Sequence, residues 1–393
     1  MSLFLLTFFL VYGGVHAYAF QKARTALGFG WGTSTAVILV LAALCCGPLI
    51  VHYLGEHKLE TAAKAASWLG YTWMGLLFFF TWMNLAIDAL NLLVRLAGAV
   101  SSRGASAAIT YGKAPFLALA GLSVALGAYS FFEASHPRIE HIRIRTDKLP
   151  AGTNRLRIAQ ISDVHLGLIV RHDRANAIAS AVRKANPDLF VSTGDLVDGR
   201  INHLDGLSEI FREIRPPLGK YAVTGNHEFY AGIGQALDFT RRAGFTVLRG
   251  ETVTVGNVLR IAGVDDPVGR AFGRTSERGE KELLGAAPSP LFTILLKHRP
   301  FLSNVTHRMF DLQLSGHTHN GQIFPFRLLV RFWYPLLAGL YTPGDGGALY
   351  ISRGTGTWGP PMRFLSPPEV TIIDIIGRGH SSPLVGDTPQ RGT

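Results

Sequence analysis

The chain changes character about a third of the way along. Residues 1–132 are mostly apolar with few charges, and from about residue 137 apolar and polar positions alternate in the short periods of a folded α/β domain. In the first part, four apolar stretches stand out, roughly Leu3–Phe20, Ser34–Leu54, Ala66–Ile87 and Pro115–Phe132. Each approaches the length of about 20 helical residues that crosses a hydrocarbon core about 30 Å thick. The first could instead act as a signal peptide, but no positive charge precedes its apolar run and no A-x-A-like exit is clear, which favours a retained span. Trp68, Trp73 and Trp82 fit interfacial anchors of the third stretch. Asp88, near its end, reads as an interfacial carboxylate with Arg95 about two turns on, the alternative being an intramembrane functional group.

Residues 133–152 form a short basic connector, with Pro137 and Pro150 breaking helix continuity. After it the pattern predicts strands at Leu156–Ile161, Leu189–Ser192 and Tyr221–Val223, with helices at Arg174–Ala185, Leu207–Ile214 and Gly234–Ala243. Strand-like runs follow at Val258–Ile261, Phe292–Leu296, Leu312–Leu314, Leu349–Ser352 and Val370–Ile376. Early βα alternation followed by a strand-rich part predicts two mixed sheets flanked by helices. The expected organisation is a four-helix transmembrane anchor (1–132), a linker (133–152), a hydrolase-like α/β domain (153–377) and a disordered Gly/Ser/Pro-rich tail (378–393).

Charge refines this picture. Lys and Arg number 38 against 27 Asp and Glu, a formal net charge of +11. The basic residues are scattered and no helix-turn-helix, RRM or zinc-finger pattern occurs, so an anionic membrane surface and a phosphate-bearing substrate fit better than nucleic acid. Lys22 and Arg24 in the first loop and Arg95, Arg103 and Lys113 in the third outweigh Lys58 and Lys64 in the second. By the positive-inside rule this puts the first and third loops in the cytoplasm, and the N-terminus and hydrolase domain outside, although Arg138, Arg143 and Arg145 pull the other way. The two cysteines, Cys45 and Cys46, are adjacent within an apolar run, read as small hydrophobes, and say nothing about redox compartment. Nothing in the sequence bears on oligomeric state.

The chemistry is carried by five motifs, each just after a predicted strand: Asp163-Val-His165, Gly194-Asp195, Gly225-Asn226-His227-Glu228, Lys297-His298-Arg299-Pro300 and Gly316-His317-Thr318-His319-Asn320. Residues two apart at a strand end project to one side, so Asp163 and His165 can converge on one ion, and His317 and His319 can reach a common site. Adjacent glycines allow sharp turns and close approach. Carboxylate, imidazole and amide oxygen together suit Mn, Fe or Zn rather than a thiolate site. Any one motif alone could be a turn, a cap or a satisfied histidine; five in this order leave that reading little room.

In this order the motifs closely resemble the calcineurin-like metallophosphoesterase superfamily, with its pattern D-x-H, G-D, G-N-H, H and G-H-x-H, over most of residues 155–376. The resemblance implies a four-layer αββα sandwich holding two divalent metal ions. It assigns Asp163, His165, Asp195 and His319 to the first metal, with Asp195 bridging to a second completed by Asn226, His298 and His317. His227 would then stabilise or protonate the departing oxygen, oriented by Asp198 in G-D-x-x-D, and a water bridging the metals would attack phosphorus in line. Gly199 stands where the superfamily's protein phosphatases carry a phosphate-gripping arginine, which argues against that type. The segments Gly263–Pro267, Gly316–Gln322, Ser352–Gly354 and Pro367–Glu369 look like a bacterial membrane-associated group that includes phosphodiesterases and a pyrophosphate hydrolase of lipid A synthesis. That similarity implies a phosphodiester or pyrophosphate substrate, lipid-linked or nucleotide-linked. The run Ile323–Tyr341, rich in Phe and Leu with Arg327 and Arg331 interspersed, is either an interfacial segment whose arginines meet lipid phosphates or a buried connector. Arg363 is a further expected phosphate contact, against a surface salt-bridge role. Two rivals, a non-catalytic membrane scaffold and a transporter with a fused hydrolase, sit less well with the intact ligand set and the few charges in the spans.

Overall fold

Long apolar helices followed by short alternating strands fold here as two packed bodies. The computed structural model describes residues 3–100, 111–199, 204, 206–276, 278–285, 287–344 and 346–377; the expected tail and Arg103 lie outside the described residues. The first body comprises α1 (Leu3–Leu27), α2 (Trp31–Cys45), α3 (Gly47–Glu56), α4 (Glu60–Val100) and α5 (Lys113–Ser135). By length and composition α4 and α5 can each cross a membrane, and α2 with α3, bent by 53°, make a third span if taken as one. The expected single run Ser34–Leu54 is therefore broken. Pro48 in the first turn of α3 cannot donate to the helix ladder and clashes with the preceding turn, which ends α2 at Cys45. Leu3–Phe20 lies within α1, whose Tyr12 and Ala19 pack with Leu77 and Phe80 of α4. Asp88 pairs across to α1, accepting from Tyr18 Oη (2.7 Å) and Lys22 Nζ (2.5 Å), not with Arg95 as the spacing had implied. Cys46 is exposed, so only Cys45 is even partly sheltered.

The second body runs through β1 (Arg138–Thr146), β2 (Arg155–Ile161), α6 (His172–Ala185), β3 (Leu189–Ser192), α7 (Leu207–Arg212), β4 (Lys220–Ala222), α8 (Asn226–Tyr230), α9 (Ile233–Arg242) and β5 (Thr246–Val247). It continues through β6 (Glu251–Val255), β7 (Leu259–Gly263), α10 (Glu280–Leu284), β8 (Phe292–Leu296), β9 (Leu312–Ser315), α11 (Phe326–Trp333), β10 (Gly339–Tyr341), β11 (Ala348–Ile351) and β12 (Glu369–Gly377). The strands form two mixed six-stranded sheets, ordered β1-β12-β2-β3-β4-β5 and β10-β11-β9-β8-β7-β6. Within them β2, β3, β4 and β5 run parallel, as do β7, β8, β9 and β11.

Strands buried on both faces read as continuous apolar runs, which is why Leu189–Ser192 and Phe292–Leu296 were legible to the residue. The inner faces meet through Ile158, Val191 and Ile373 of one sheet and Leu259, Ile294 and Leu314 of the other. The outer face of the first sheet is covered by Ile178, Phe211 and Phe239 from α6, α7 and α9. The fourth layer is thin: Leu283 and Leu284 of α10 and Phe310 cover Ala262 and Leu295.

The expected linker is a correction. Nine of its residues are β1, paired in parallel with β12 along its whole length. Its prolines flank the strand rather than interrupt it, and Ile142 and Ile144 alternate with outward arginines as an edge strand requires. The α/β domain therefore begins with β1, directly after α5, and sits on the helices. Gly75 of α4 lies under Pro360 and Met362, Phe79 packs with Ile323 and Met362, and Arg363 donates its backbone N–H to Ser130 O of α5 (2.9 Å).

Candidate metal centre

Parallel strands bring their C-terminal ends to one edge, and there the five motifs meet. Asp163 and His165 follow β2, Asp195 follows β3, Asn226 and His227 open α8 after β4, His298 follows β8, and His317 and His319 follow β9. Asp163, His165, Asp195, His317 and His319 all adopt left-handed backbone, with φ of 52°, 54°, 52°, 72° and 49°. Non-glycine residues rarely tolerate this, and such strain concentrates where side chains are aimed for function.

The side chains form two groups that share one neighbourhood. Asp163, His165 and His319 make one, and Asp195, His298 and His317 the other, with ligand atoms in each within 4.8 Å of one another; a third set, His165, Asp195 and His227, links them. His165 Nε2 faces His319 Nε2 at 3.1 Å, and His317 Nδ1 faces His298 Nε2 at 3.1 Å. Asp195 stands between the groups. Its Oδ1 accepts the backbone N–H of His227 (2.8 Å), while Oδ2 lies 3.2 Å from His298 Nε2 and 3.9 Å from His165 Nε2. Asn226 Oδ1 is buried without a hydrogen-bond partner. An orphaned carbonyl oxygen and ring nitrogens turned toward each other are what cation ligation resolves, so the residues present fit divalent-metal binding.

Electrostatics divide the rings: burial opposes charge on His298, but Asp195 outweighs it and lifts that imidazole to about 10, whereas His317 and His319 are held down. Burial, then the neighbouring His298, holds His317 well below the usual imidazole range; burial, then Arg363, does the same to His319. Both rings therefore favour the neutral form. Asp195 is pushed up by burial, but His298 and then His227 outweigh this and hold its carboxyl well below the usual range. Hydrogen bonds behind the ligands fix their orientation: His298 Nδ1 meets Thr193 O at 2.8 Å, leaving Nε2 for the centre.

His227 stands beside this pair. Its Nδ1 is 3.0 Å from Asp198 Oδ1, which also lies 3.3 Å from His165 Nδ1. Burial opposes charge on His227, but Asp195 and then Asp198 outweigh it and lift the imidazole to about 9. The Asp198 carboxyl is raised by burial yet held down on balance by the neighbouring His165 and His227.

Three expected phosphate contacts fare differently. Arg363 is fully buried behind His319, a correction to its expected role. Its donors are engaged by Gly356 O, Arg353 O, Ser366 O, His319 O and His319 Nδ1, which leaves no edge for a substrate. Arg327 and Arg331 are exposed on α11, outside the ligand cluster. The run holding them is not a buried connector as a whole, since α11 has no buried residue.

The sequence reading gave no role to several residues that build the site. Glu228, buried, accepts the backbone N–H groups of Asp195 (3.0 Å), Leu196 (2.8 Å) and Gly225 (2.7 Å), so one carboxylate ties two ligand loops together. Tyr334, which follows α11, places its hydroxyl 2.8 Å from His317 Nε2. Asp266 holds Arg299 by two bonds of 2.7 and 3.0 Å, beside His298. The one available signal was Glu228, inside the G-N-H-E motif; Tyr334 comes 17 positions after its partner with nothing in the pattern to mark it.

Comparison with known proteins agrees with this geometry. The family model described as calcineurin-like phosphoesterase matches residues 156–321, which contain all five motifs. An "uncharacterized metallophosphoesterase" of Aquifex aeolicus is 44% identical over 260 residues, 66% of this chain and 99% of its own. A "transmembrane protein with metallophosphoesterase domain" of Danio rerio is 31% identical over 353 residues, 86% of this chain and 79% of its own. An "uncharacterized metallophosphoesterase" of Helicobacter pylori is 34% identical over 270 residues, 66% of this chain and 71% of its own.

Proposed function

The chain belongs to the calcineurin-like metallophosphoesterases, and from that premise we propose that it is a multi-pass membrane phosphoesterase that uses two divalent cations (Mn, Fe or Zn) to hydrolyse a phosphodiester or pyrophosphate bond in a lipid-linked or nucleotide-linked substrate. The observation that carries this is Asp195 Oδ2, poised between His298 Nε2 and His165 Nε2. Asp163, His165, Asp195 and His319 would hold one cation and Asp195, Asn226, His298 and His317 the other. When bound, the pair supplies Lewis acidity to the phosphoryl oxygens and to the attacking water.

The chain's own residues do the rest. Asp198 holds His227 by Nδ1, so Nε2 is free to give a proton to the departing oxygen. The rings of Tyr230 and Trp358 stand 5.5 and 6.0 Å from that of His227, both largely exposed, and give the leaving group an aromatic wall. Glu228 keeps the Asp195 and Gly225 loops in register.

Anchorage and sidedness belong to the same proposal. Lys22 sits by Asp88 and 4.4 Å over the Tyr111 ring, so the basic first and third loops gather at one end of the bundle. The hydrolase domain is attached to the other end of α5, which supports its placement on the non-cytoplasmic side.

The test is hydrolysis of bis-p-nitrophenyl phosphate by the full chain in nanodiscs with added Mn²⁺, with bound metal counted in parallel. Turnover with two ions per chain, abolished in Asp195→Ala, is expected; no metal uptake, or undiminished turnover in the variant, sinks the reading. Labelling of a cysteine placed in the C-terminal tail of intact cells checks sidedness.

A further inference from the structure

Among the described residues α11 is an eight-residue helix with no side chain buried, although six of its residues are large and apolar. Phe326, Leu328, Leu329, Phe332 and Trp333 are all exposed, Phe332 at 80% and Trp333 at 71%. Soluble surfaces scatter such residues; a contiguous set on one short helix marks a contact surface. What covers it follows from where it sits. The ring of Phe326 meets that of Phe78 on α4 edge-on, with centroids 6.1 Å apart. Just before α11, Ile323 packs against Phe79 of the same helix. The patch thus continues the outer surface of a helix that is itself long and apolar enough to cross a membrane. Arg327 and Arg331 are exposed within the same turns. Apolar rings with interspersed cations fit the boundary between acyl chains and anionic headgroups, and fit poorly with a bulk-water or purely apolar neighbour.

We infer that α11 is an in-plane membrane helix: it docks on the headgroup boundary of an anionic phospholipid bilayer beside α4 and holds the metal centre against the lipid surface. The link to chemistry is short. Tyr334 caps the C-terminal end of α11, its hydroxyl lies 2.8 Å from His317 Nε2, and its ring stacks on Phe301 at 5.1 Å. A helix seated in lipid therefore lies beside one expected ligand, and a phosphoester whose tails remain in the bilayer reaches the site without leaving it. This rests on the membrane-hydrolase reading above and adds to it the surface from which substrate arrives. Leu337, by contrast, is buried and belongs to the domain's interior, so it is no part of the patch.

The test uses the full chain with Cys45 and Cys46 replaced by Ser and a single nitroxide at Phe332→Cys, in nanodiscs of phosphatidylcholine with and without phosphatidylglycerol. Paramagnetic accessibility to oxygen and to a nickel chelate reads depth, and Arg242→Cys on α9 serves as the aqueous reference. High oxygen and low nickel accessibility at 332, with more contrast in the anionic discs, is expected. Water-like accessibility overturns the inference, as does spin–spin broadening that shows a second copy covering the patch. In parallel, Phe332→Ser with Trp333→Ser should lower the rate on a p-nitrophenyl phosphodiester carrying two acyl chains in the disc at least tenfold. The rate on soluble bis-p-nitrophenyl phosphate should change less than twofold. An equal loss on both substrates counts against lipid docking, whereas no hydrolysis by the unsubstituted chain refutes the hydrolase reading instead.

Discussion

Gly225→Ala isolates the metal centre from the fold. Gly225 has φ −99°, so alanine meets no backbone penalty there and the whole effect is steric. A Cβ at this position would lie 2.1 Å from Asp195 Oδ1, 2.7 Å from Asp195 Cγ and 2.7 Å from the Asp195 backbone N, so the loop after β3 shifts along with the carboxylate. Carbon needs roughly 3.5 Å from its neighbours, so the carboxylate must retreat by more than about 1 Å. It is also pinned from behind, because the same oxygen accepts the backbone N–H of His227. Metal ligation tolerates deviations of only about 0.2 Å, so the methyl group displaces the one side chain expected to serve both ions. The fold itself should survive, since overpacking of this kind costs about 1–3 kcal/mol against a typical total of about 5–15. The expected result is a loss of at least about 100-fold in Mn²⁺ affinity, beyond what outer-shell changes cause, with hydrolysis at the level of Asp195→Ala. Elemental analysis after dialysis, calorimetric titration with Mn²⁺, and thermal unfolding in chelator measure the three quantities. If the variant keeps two ions at unaltered affinity and turns over normally, Asp195 is not the shared ligand and the reasoning fails.

Three further outcomes follow from the same coordinates. Arg363→Leu strands four carbonyls and one face of His319 in a dry interior, so stability should fall by about 3–5 kcal/mol, and Arg363→Lys should not restore it because a single ammonium cannot reach all those partners; chemical denaturation measures both. His227 is lifted toward about 9 by Asp195 and Asp198, so its proton-donating form persists below that pH and is lost as pH rises through it. Removing one lifting partner with Asp198→Asn should therefore move the alkaline limb of the rate profile for a poor leaving group to lower pH, with a smaller effect for p-nitrophenol; an unmoved limb contradicts the assignment. Lys220→Met deprives Phe211 O and Ala243 O of a buried ammonium at 2.8 and 2.6 Å, which should cost about 1–3 kcal/mol in thermal unfolding while leaving turnover unchanged.

What could be read from the chain divides along physical lines. Strands buried on both faces announce themselves as apolar runs, and residues two apart at a strand end share a side; hence β3, β8 and the Asp163/His165 and His317/His319 pairs are legible from pattern, while the full ligand set rests on the family resemblance. β1 was hidden because half its positions are charged and two prolines frame it. Arg363 misled because an arginine after an active-site loop looks alike whether it faces solvent or carbonyls; only packing distinguishes them. Tyr334 and Glu228 act through contacts between loops, which no spacing rule encodes.

The pairing of β1 with β12 has a practical corollary for anyone who wants the hydrolase without its lipid. A fragment cut at residue 153, where composition draws the border, would strip β1 away and leave one edge of the nine-residue β12 unpaired, its other edge still held by β2. Unprotected edges of that kind recruit other strands, so such a fragment should precipitate or form ordered aggregates on overexpression. A cut at residue 137 keeps the guard strand in place, and is where trimming should start.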